Sequence, residues 1–311
     1  MQLEGIHHIT CITADAPRNV EFYVGTMGLR MVKKSVNQDD PSVYHLFYAD
    51  ESGSAGSDIT FFEYPGVPRG RAGAGMIHTI VWRVGSTDSL DFWADRLRDR
   101  DIVVERSGST LRFSDPEGLT HELKIDDGSD TPLRATHGEI PSEHALLGFD
   151  AARAYSDDMT DSAALLATTL GANQVGTREW EIRGATRGGR FTFDAPPSLR
   201  GLSGAGTVHH IAWASEMADH DAWRAKVAEA GVSVTPVIDR FWFRSIYFRE
   251  PSGVLFEIAT LGPGFTTDEP LEALGEKLTL PPTFEPMRAE IERTVTPLPD
   301  PTELRHLPSR A

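Results

Sequence analysis

One pattern of elements recurs four times along the chain, and this repetition limits the available folds more than any other feature. A strand, a helix and three further strands follow one another from Gly5, from Met76, more weakly from Gly148, and from Val208. In the first copy, Gly5 to Thr13 alternates as a strand. Asp15 and Pro17 open a helix, with Asp15 as N-cap, and Gly28 closes it. Strands then read over Arg30 to Asn37, Tyr44 to Ala49 and Asp58 to Tyr64. In the second copy, a helix over Ser86 to Arg100 carries Leu90, Trp93 and Leu97 on one face. Asp115-Pro-Glu-Gly in copy two and Glu250-Pro-Ser-Gly in copy four are matching turns, each leading into a strand.

Composition narrows the function classes. Net charge is −16 over 311 residues, a poor match to nucleic acid or to an anionic membrane surface. Cys11 is the single cysteine, which excludes an intramolecular disulfide and a cysteine-based zinc site. No apolar stretch approaches the roughly 18–20 residues that span a bilayer. The first residues show no charged-then-apolar signal pattern, so the expected compartment is the cytoplasm.

Two stretches carry chemistry. Thr207-Val-His-His-Ile-Ala-Trp places His209 and His210 on a strand that reads as buried, and Phe256-Glu-Ile-Ala places Glu257 on another. Charged groups enter apolar strands only when something compensates them, and a cation is one such compensation. Gly5-Ile-His-His-Ile-Thr, at the other end of the chain, is a near-copy that carries His7 and His8.

Four βαβββ units with a histidine on a first strand and a glutamate on a last strand resemble the vicinal oxygen chelate superfamily, which includes glyoxalases, bleomycin-resistance proteins and extradiol dioxygenases. Val36-Asn-Gln-Asp-Asp-Pro, Asp58-Ile-Thr-Phe-Phe, Val237-Ile-Asp-Arg, Ser245-Ile-Tyr-Phe-Arg-Glu-Pro-Ser-Gly and Leu261-Gly-Pro-Gly-Phe are similar to words of the hydroquinone-specific ring-cleaving dioxygenases. The resemblance covers nearly the whole chain. It implies an α+β fold of two open β-barrel-like modules. It also implies a non-haem Fe(II) site, with Mn, Ni or Zn as alternative ions, and a small aromatic substrate that is opened with O2. Two imidazoles and one carboxylate form the facial triad of such oxygenases. Matched to the superfamily motif, the ligands are the second histidine of each pair, His8 and His210, together with Glu257.

Only copies one and four carry that histidine. Copy two has Thr79 and copy three Ala151 at its place. Repeats 1 and 4 are therefore expected to meet at one metal site, with repeats 2 and 3 forming a second module without metal. At the glutamate position the alignment sets Glu63 in copy one and Glu122 in copy two, and Glu63 is an alternative fourth ligand of glyoxalase type. His7 and His209 point away from the ligands if the strands are regular, and are expected to orient ligands or substrate. Thr10 shares a face with His8. The resemblance sets Arg240 and Tyr247 in the substrate pocket, where a guanidinium stabilises a phenolate and a phenol donates a proton or hydrogen bond.

The expected function is a hydroquinone-type ring-cleaving dioxygenase. A Ni/Zn glyoxalase-like lyase or isomerase, an extradiol catechol dioxygenase and a non-catalytic ligand-sequestering protein are the alternatives. The expected units are residues 1–142, residues 143–261 and a tail over 262–311. The tail is read as one acidic helix near Glu285 to Arg293, a proline-rich frayed end, and a candidate lid hinged at Gly262-Pro-Gly. Whether copies of the chain associate as a homo-oligomer is open at this point.

Overall fold

The computed structural model describes residues 1–306. In the first repeat, β1 (Leu3–Thr13) leads to α1 (Ala16–Val20), which runs on as a π-helical segment (Glu21–Thr26), and then to β2 (Arg30–Asn37), β3 (Asp40–Ala49) and β4 (Asp58–Glu63). The Asp15 side chain caps α1 by accepting from the Arg18 amide at 3.1 Å. Gly28 ends the helix at φ 71°, where an added Cβ would strike Ile140. The second repeat is β5 (Ile77–Val84), α2 (Thr87–Arg98), β6 (Glu105–Ser107), β7 (Thr110–Ser114) and β8 (Thr120–Ile125). The third is β9 (Phe149–Tyr155), α3 (Thr160–Ala164), β10 (Asn173–Gly176), β11 (Glu179–Arg183) and β12 (Gly188–Asp194). The fourth is β13 (Thr207–Ser215), α4 (His220–Glu229), β14 (Ile238–Asp239), β15 (Phe243–Arg249) and β16 (Leu255–Pro263). Strand β10 was not anticipated, because Asn173-Gln-Val-Gly is short, exposed and largely polar.

Two eight-stranded sheets result. One runs β14-β15-β16-β13-β1-β4-β3-β2 and the other β10-β11-β12-β9-β5-β8-β7-β6. Repeats 1 and 4 therefore share one sheet through the antiparallel pair β1–β13, and repeats 2 and 3 share the other through β5–β9. Each sheet draws one repeat from residues 1–142 and one from residues 143–261. Ile9 and Ile211 face each other at the centre of the β1–β13 seam and are fully buried. That seam buries apolar side chains on both faces, as the near-continuous apolar run of β1 requires.

The seam is irregular in a matched way. Ile6 pairs with Trp213 and His8 with Ala212, so His7 is an extra residue on β1. Thr10 pairs with His210 and Cys11 with Val208, so His209 is an extra residue on β13. Each is a β-bulge, the device that re-aims side chains beside functional sites. Bulges recur at the equivalent positions of the second sheet, at His78 and Asp150.

Beyond β16 the tail wraps the outer side of β2 and β3. The buried Lys33 ammonium bonds the Phe265 carbonyl at 3.2 Å, Asp268 at 2.8 Å and Glu269. Asp268 also accepts from Trp242 Nε1 at 3.0 Å. The acidic helix is α5 (Arg288–Thr294). The end expected to fray instead forms α6 (Pro301–Leu304), capped by Asp300, and Arg305 pairs with Glu51; residues 307–311 lie outside the described residues. No described helix is long and apolar enough to cross a membrane.

Candidate metal centre

The two bulges let the first and last repeats bring His8, His210 and Glu257 together. One ligand atom from each lies within 4.8 Å of the others, and all three side chains are buried. Glu257 Oε2 is 2.9 Å from His210 Nε2 and 3.3 Å from His8 Nε2, and the two Nε2 atoms are 3.4 Å apart. Glu257 is fully buried, and neither of its oxygens has a partner in hydrogen-bonding geometry. These are the only clustered metal-ligating groups among the described residues.

Each outer histidine touches an inner one, and His7 sets the tautomer of His8. His7 Nε2 lies 3.2 Å from the Thr260 carbonyl, which can only accept, so that nitrogen carries the proton. Burial pushes the His7 pKa down to about 3, so the ring is neutral. Its Nδ1 therefore accepts from His8 Nδ1–H at 2.9 Å, and His8 turns the Nε2 lone pair toward Glu257. His209 makes the same Nδ1–Nδ1 contact to His210 at 2.7 Å, with its own ring exposed.

Electrostatics fit a cation at this point. Burial disfavours the Glu257 carboxylate, but His8 and His210 outweigh it and hold the group well below the usual carboxylate range. Burial likewise disfavours a charged His8, yet Glu257 outweighs it and raises the pKa; at His210 burial wins and lowers it. A carboxylate oxygen facing two imidazole nitrogens is repulsive unless a proton or a metal ion lies between them. Two imidazoles and one carboxylate suit a divalent transition metal with open coordination positions.

Register corrects the assignment of Glu63. Glu257 pairs with Ala212, two residues after His210. Two residues after His8 is Thr10, whose partner on β4 is Thr60. Thr60, not Glu63, is thus the counterpart of Glu257. Glu63 stands three positions further, about 10 Å along the strand and on its other face. There it accepts from Thr296 Oγ1 at 2.9 Å and from the Ala16 amide at 3.3 Å. In repeat 2 the register does place Glu122 at this position, paired with Val81, but Arg112 holds its carboxylate at 3.0 Å. Repeat 3 has Thr192 there, paired with Arg153.

A cavity opens above the cluster, lined by His8, His210, His45, Phe47, Phe62, Trp242, Phe243 and Tyr247, with Asn37, Gln38, Asp39 and Arg240 toward its rim. Arg240 and Tyr247 therefore stand where the sequence set them. Arg240 also grips Asp39 through two bonds of 3.0 and 2.9 Å, while its guanidinium carbon lies 5.6 Å from the Tyr247 ring centre. Burial, and then Glu257, raises the Tyr247 phenol, so it stays protonated and able to donate. His7, His209 and Thr10 do not line the cavity. The histidines back the ligands, and Thr10 accepts from Thr60 Oγ1 at 2.8 Å. No described tail residue lines it either: the expected lid is a buttress, holding Trp242 from behind through Asp268.

Sequence reasoning missed His45, Phe47, Phe62 and Asn37 to Asp39 as wall residues. Asn37-Gln-Asp belonged to a word already singled out, which was the available signal. His45 and Phe47 had none beyond their alternation on a strand.

The family model described as the glyoxalase/bleomycin resistance protein/dioxygenase superfamily matches residues 5–123 and 144–258. Over 94% of this chain and 96% of the relative, the sequence is 40% identical to the Bacillus subtilis (strain 168) protein named "Putative ring-cleaving dioxygenase MhqO". It is 32% identical to the chlorohydroquinone/hydroquinone 1,2-dioxygenase of Sphingobium indicum, over 94% of this chain and 96% of that one. A crystal structure of a Bacillus subtilis protein described as a "putative dioxygenase" superposes with a TM-score of 0.90 at 39% identity, covering 96% of this chain and 98% of its own.

Proposed function

The chain belongs to the glyoxalase/bleomycin resistance protein/dioxygenase superfamily, and from that premise we propose that it is a non-haem Fe(II)-dependent dioxygenase that opens the ring of a hydroquinone-type substrate with O2. The observation that carries this reading is the ligand set: His8, His210 and Glu257, with Thr60 where a fourth carboxylate would stand. A four-ligand lyase or isomerase site needs that fourth group, whereas oxygen chemistry needs the open positions. The relatives named above support it over nearly the full chain.

A ferrous ion held by these three residues would supply Lewis acidity and the electron transfer that O2 chemistry requires. The protein supplies the rest. Phe47, Phe62, Trp242 and Phe243 offer apolar faces to an aromatic ring. Arg240 compensates the negative charge of an ionised ring hydroxyl. Tyr247, protonated, donates to an oxygen that gains charge as the ring opens. The cavity has room for about 30 Å³ of solvent, against the roughly 150 Å³ of a cavity that takes up benzene. Ring entry therefore requires the wall to move; parting of the Asp39–Arg240 pair at the rim would free Arg240 for the substrate.

Oxygen uptake by anaerobically iron-loaded protein tests the reading with hydroquinone and catechol, and absorbance of the thioester product follows the methylglyoxal–glutathione adduct separately. Uptake with hydroquinone, lost together with bound iron in His8→Ala, His210→Ala and Glu257→Ala, is expected. Full iron and activity in all three variants, or turnover of the glutathione adduct alone, overturns it.

A further inference from the structure

His45 lines the cavity but is not among the metal-ligating groups. It lies on β3, two strands from β1 in the sheet order and on the far side of Thr60 from His8. Its ring is packed by Phe47 and Phe62, with centroids at 3.9 and 4.4 Å.

Its hydrogen bonds leave one ring nitrogen over. Thr60 spends its single hydroxyl hydrogen on Thr10, so toward His45 it can only accept. The 2.9 Å contact from His45 Nε2 to Thr60 Oγ1 is therefore an N–H donating. The neutral ring then bears its lone pair on Nδ1, and Nδ1 has no partner among the described residues. The two carboxamides at the rim each spend a donor inside the protein, and the Asn37 oxygen accepts from the Asp39 amide at 2.9 Å. Asn37 donates to Tyr64 at 3.0 Å and Gln38 to the Arg240 carbonyl at 2.8 Å.

We propose that His45 accepts a hydrogen bond, through Nδ1, from a second substrate hydroxyl that lies across the ring from the one at the metal. Two strand spacings, about 10 Å, separate β3 from β1, and His45 stands level with Ile12, four residues along β1 from His8, so the two rings approach the cavity from different walls. A neighbouring hydroxyl stays with the metal, whereas a hydroxyl on the opposite ring carbon reaches toward β3. His45 thus selects para-diols over phenols that lack the second donor and over ortho-diols. This rests on the ring-cleaving reading for the kind of ligand, but not on turnover for its test.

The test is anaerobic titration of the metal-loaded protein, followed by fluorescence of the wall residue Trp242. The ligands are hydroquinone, catechol and 4-methylphenol. Wild type is expected to prefer hydroquinone over 4-methylphenol by roughly tenfold, the scale of one hydrogen bond to a buried acceptor. His45→Phe keeps the ring packing and deletes the acceptor. It should bring the two ligands within about twofold while leaving 4-methylphenol affinity in place. His45→Leu repeats the measurement should the larger ring disturb folding. A purely structural role would weaken all ligands alike, and that result, an undiminished hydroquinone preference in both variants, or no preference in wild type, overturns the proposal. A preference that vanishes in the variants while wild type consumes no O2 with hydroquinone would retain the His45 assignment and discard the ring-cleaving one.

Discussion

Thr60 holds in the first repeat the register position that Glu257 holds in the fourth. One side of the metal cluster is thereby carboxylate and the other hydroxyl, although the two half-sites descend from the same pattern. The hydroxyl is engaged as well: it links Thr10 to His45 instead of facing a cation.

Thr60→Glu should convert the three-ligand site into a four-ligand one. The variant is expected to retain metal at least as well as wild type while losing tenfold or more of its oxygen uptake with hydroquinone. Without metal, the added buried carboxylate should lower stability by about 1–3 kcal/mol. Metal analysis beside oxygen uptake and melting curves, with and without chelator, reads all three. Unchanged uptake would show that the open position is elsewhere.

His7 acts through His8, so its removal should appear in metal affinity before it appears anywhere else. His7→Phe breaks the path from the Thr260 carbonyl to the His8 tautomer. A loss of about 10–100-fold in metal affinity is expected, the usual cost of deleting a partner of a ligating imidazole. His209→Phe should cost less, because His209 is exposed and no protein group fixes its outer nitrogen as the Thr260 carbonyl fixes that of His7. Competition against a chromophoric chelator ranks the two variants, and an equal or reversed ranking would contradict this account.

Asp58 gives the protein a measurable response to pH. It pairs with His8 across β1 and β4, is buried, and has no partner on either oxygen. Burial pushes its pKa up to about 7. The folded protein therefore holds a proton here that the unfolded chain gives up near pH 4. The contribution is fully present below about pH 4 and is lost as pH rises toward 7. Asp58→Asn should remove that fall and leave the variant more stable at pH 8, by about 4 kcal/mol at most. Denaturant melts of metal-free protein between pH 5 and 8 measure it; parallel profiles for wild type and variant would refute it.

Much of this was open to reading in the residues, for reasons that mark where reading stops. The His-His pairs and Glu257 stand out because polar groups in apolar strands are conspicuous, and their absence at Thr79 and Ala151 was enough to pair repeat 1 with repeat 4. Glu63 misled because spacing along a strand says nothing of the register between strands. Thr60 aligns with Glu257 only once β1 and β4 are laid side by side. The bulges at His7 and His209 were invisible for the same reason: an extra residue is extra only against a partner strand. His45 escaped because a lone histidine on an alternating strand announces nothing, and what distinguishes it is a hydroxyl fifteen residues away. The docked end of the tail was hidden by its prolines, which read as disorder but here open a capped helix.

The β1–β13 seam also bears on how the protein is made. β1 leaves the ribosome about two hundred residues ahead of β13, and β16 follows later still. β4 can cover one edge of β1 early, but the edge that meets β13 must wait while some two hundred residues are synthesised. Repeats 2 and 3, contiguous in the chain, can close their own sheet in that interval, because nearby segments find one another sooner. The three residues of the candidate metal centre then come together only after Glu257 is made, and a chain interrupted before it has the two histidines without the carboxylate.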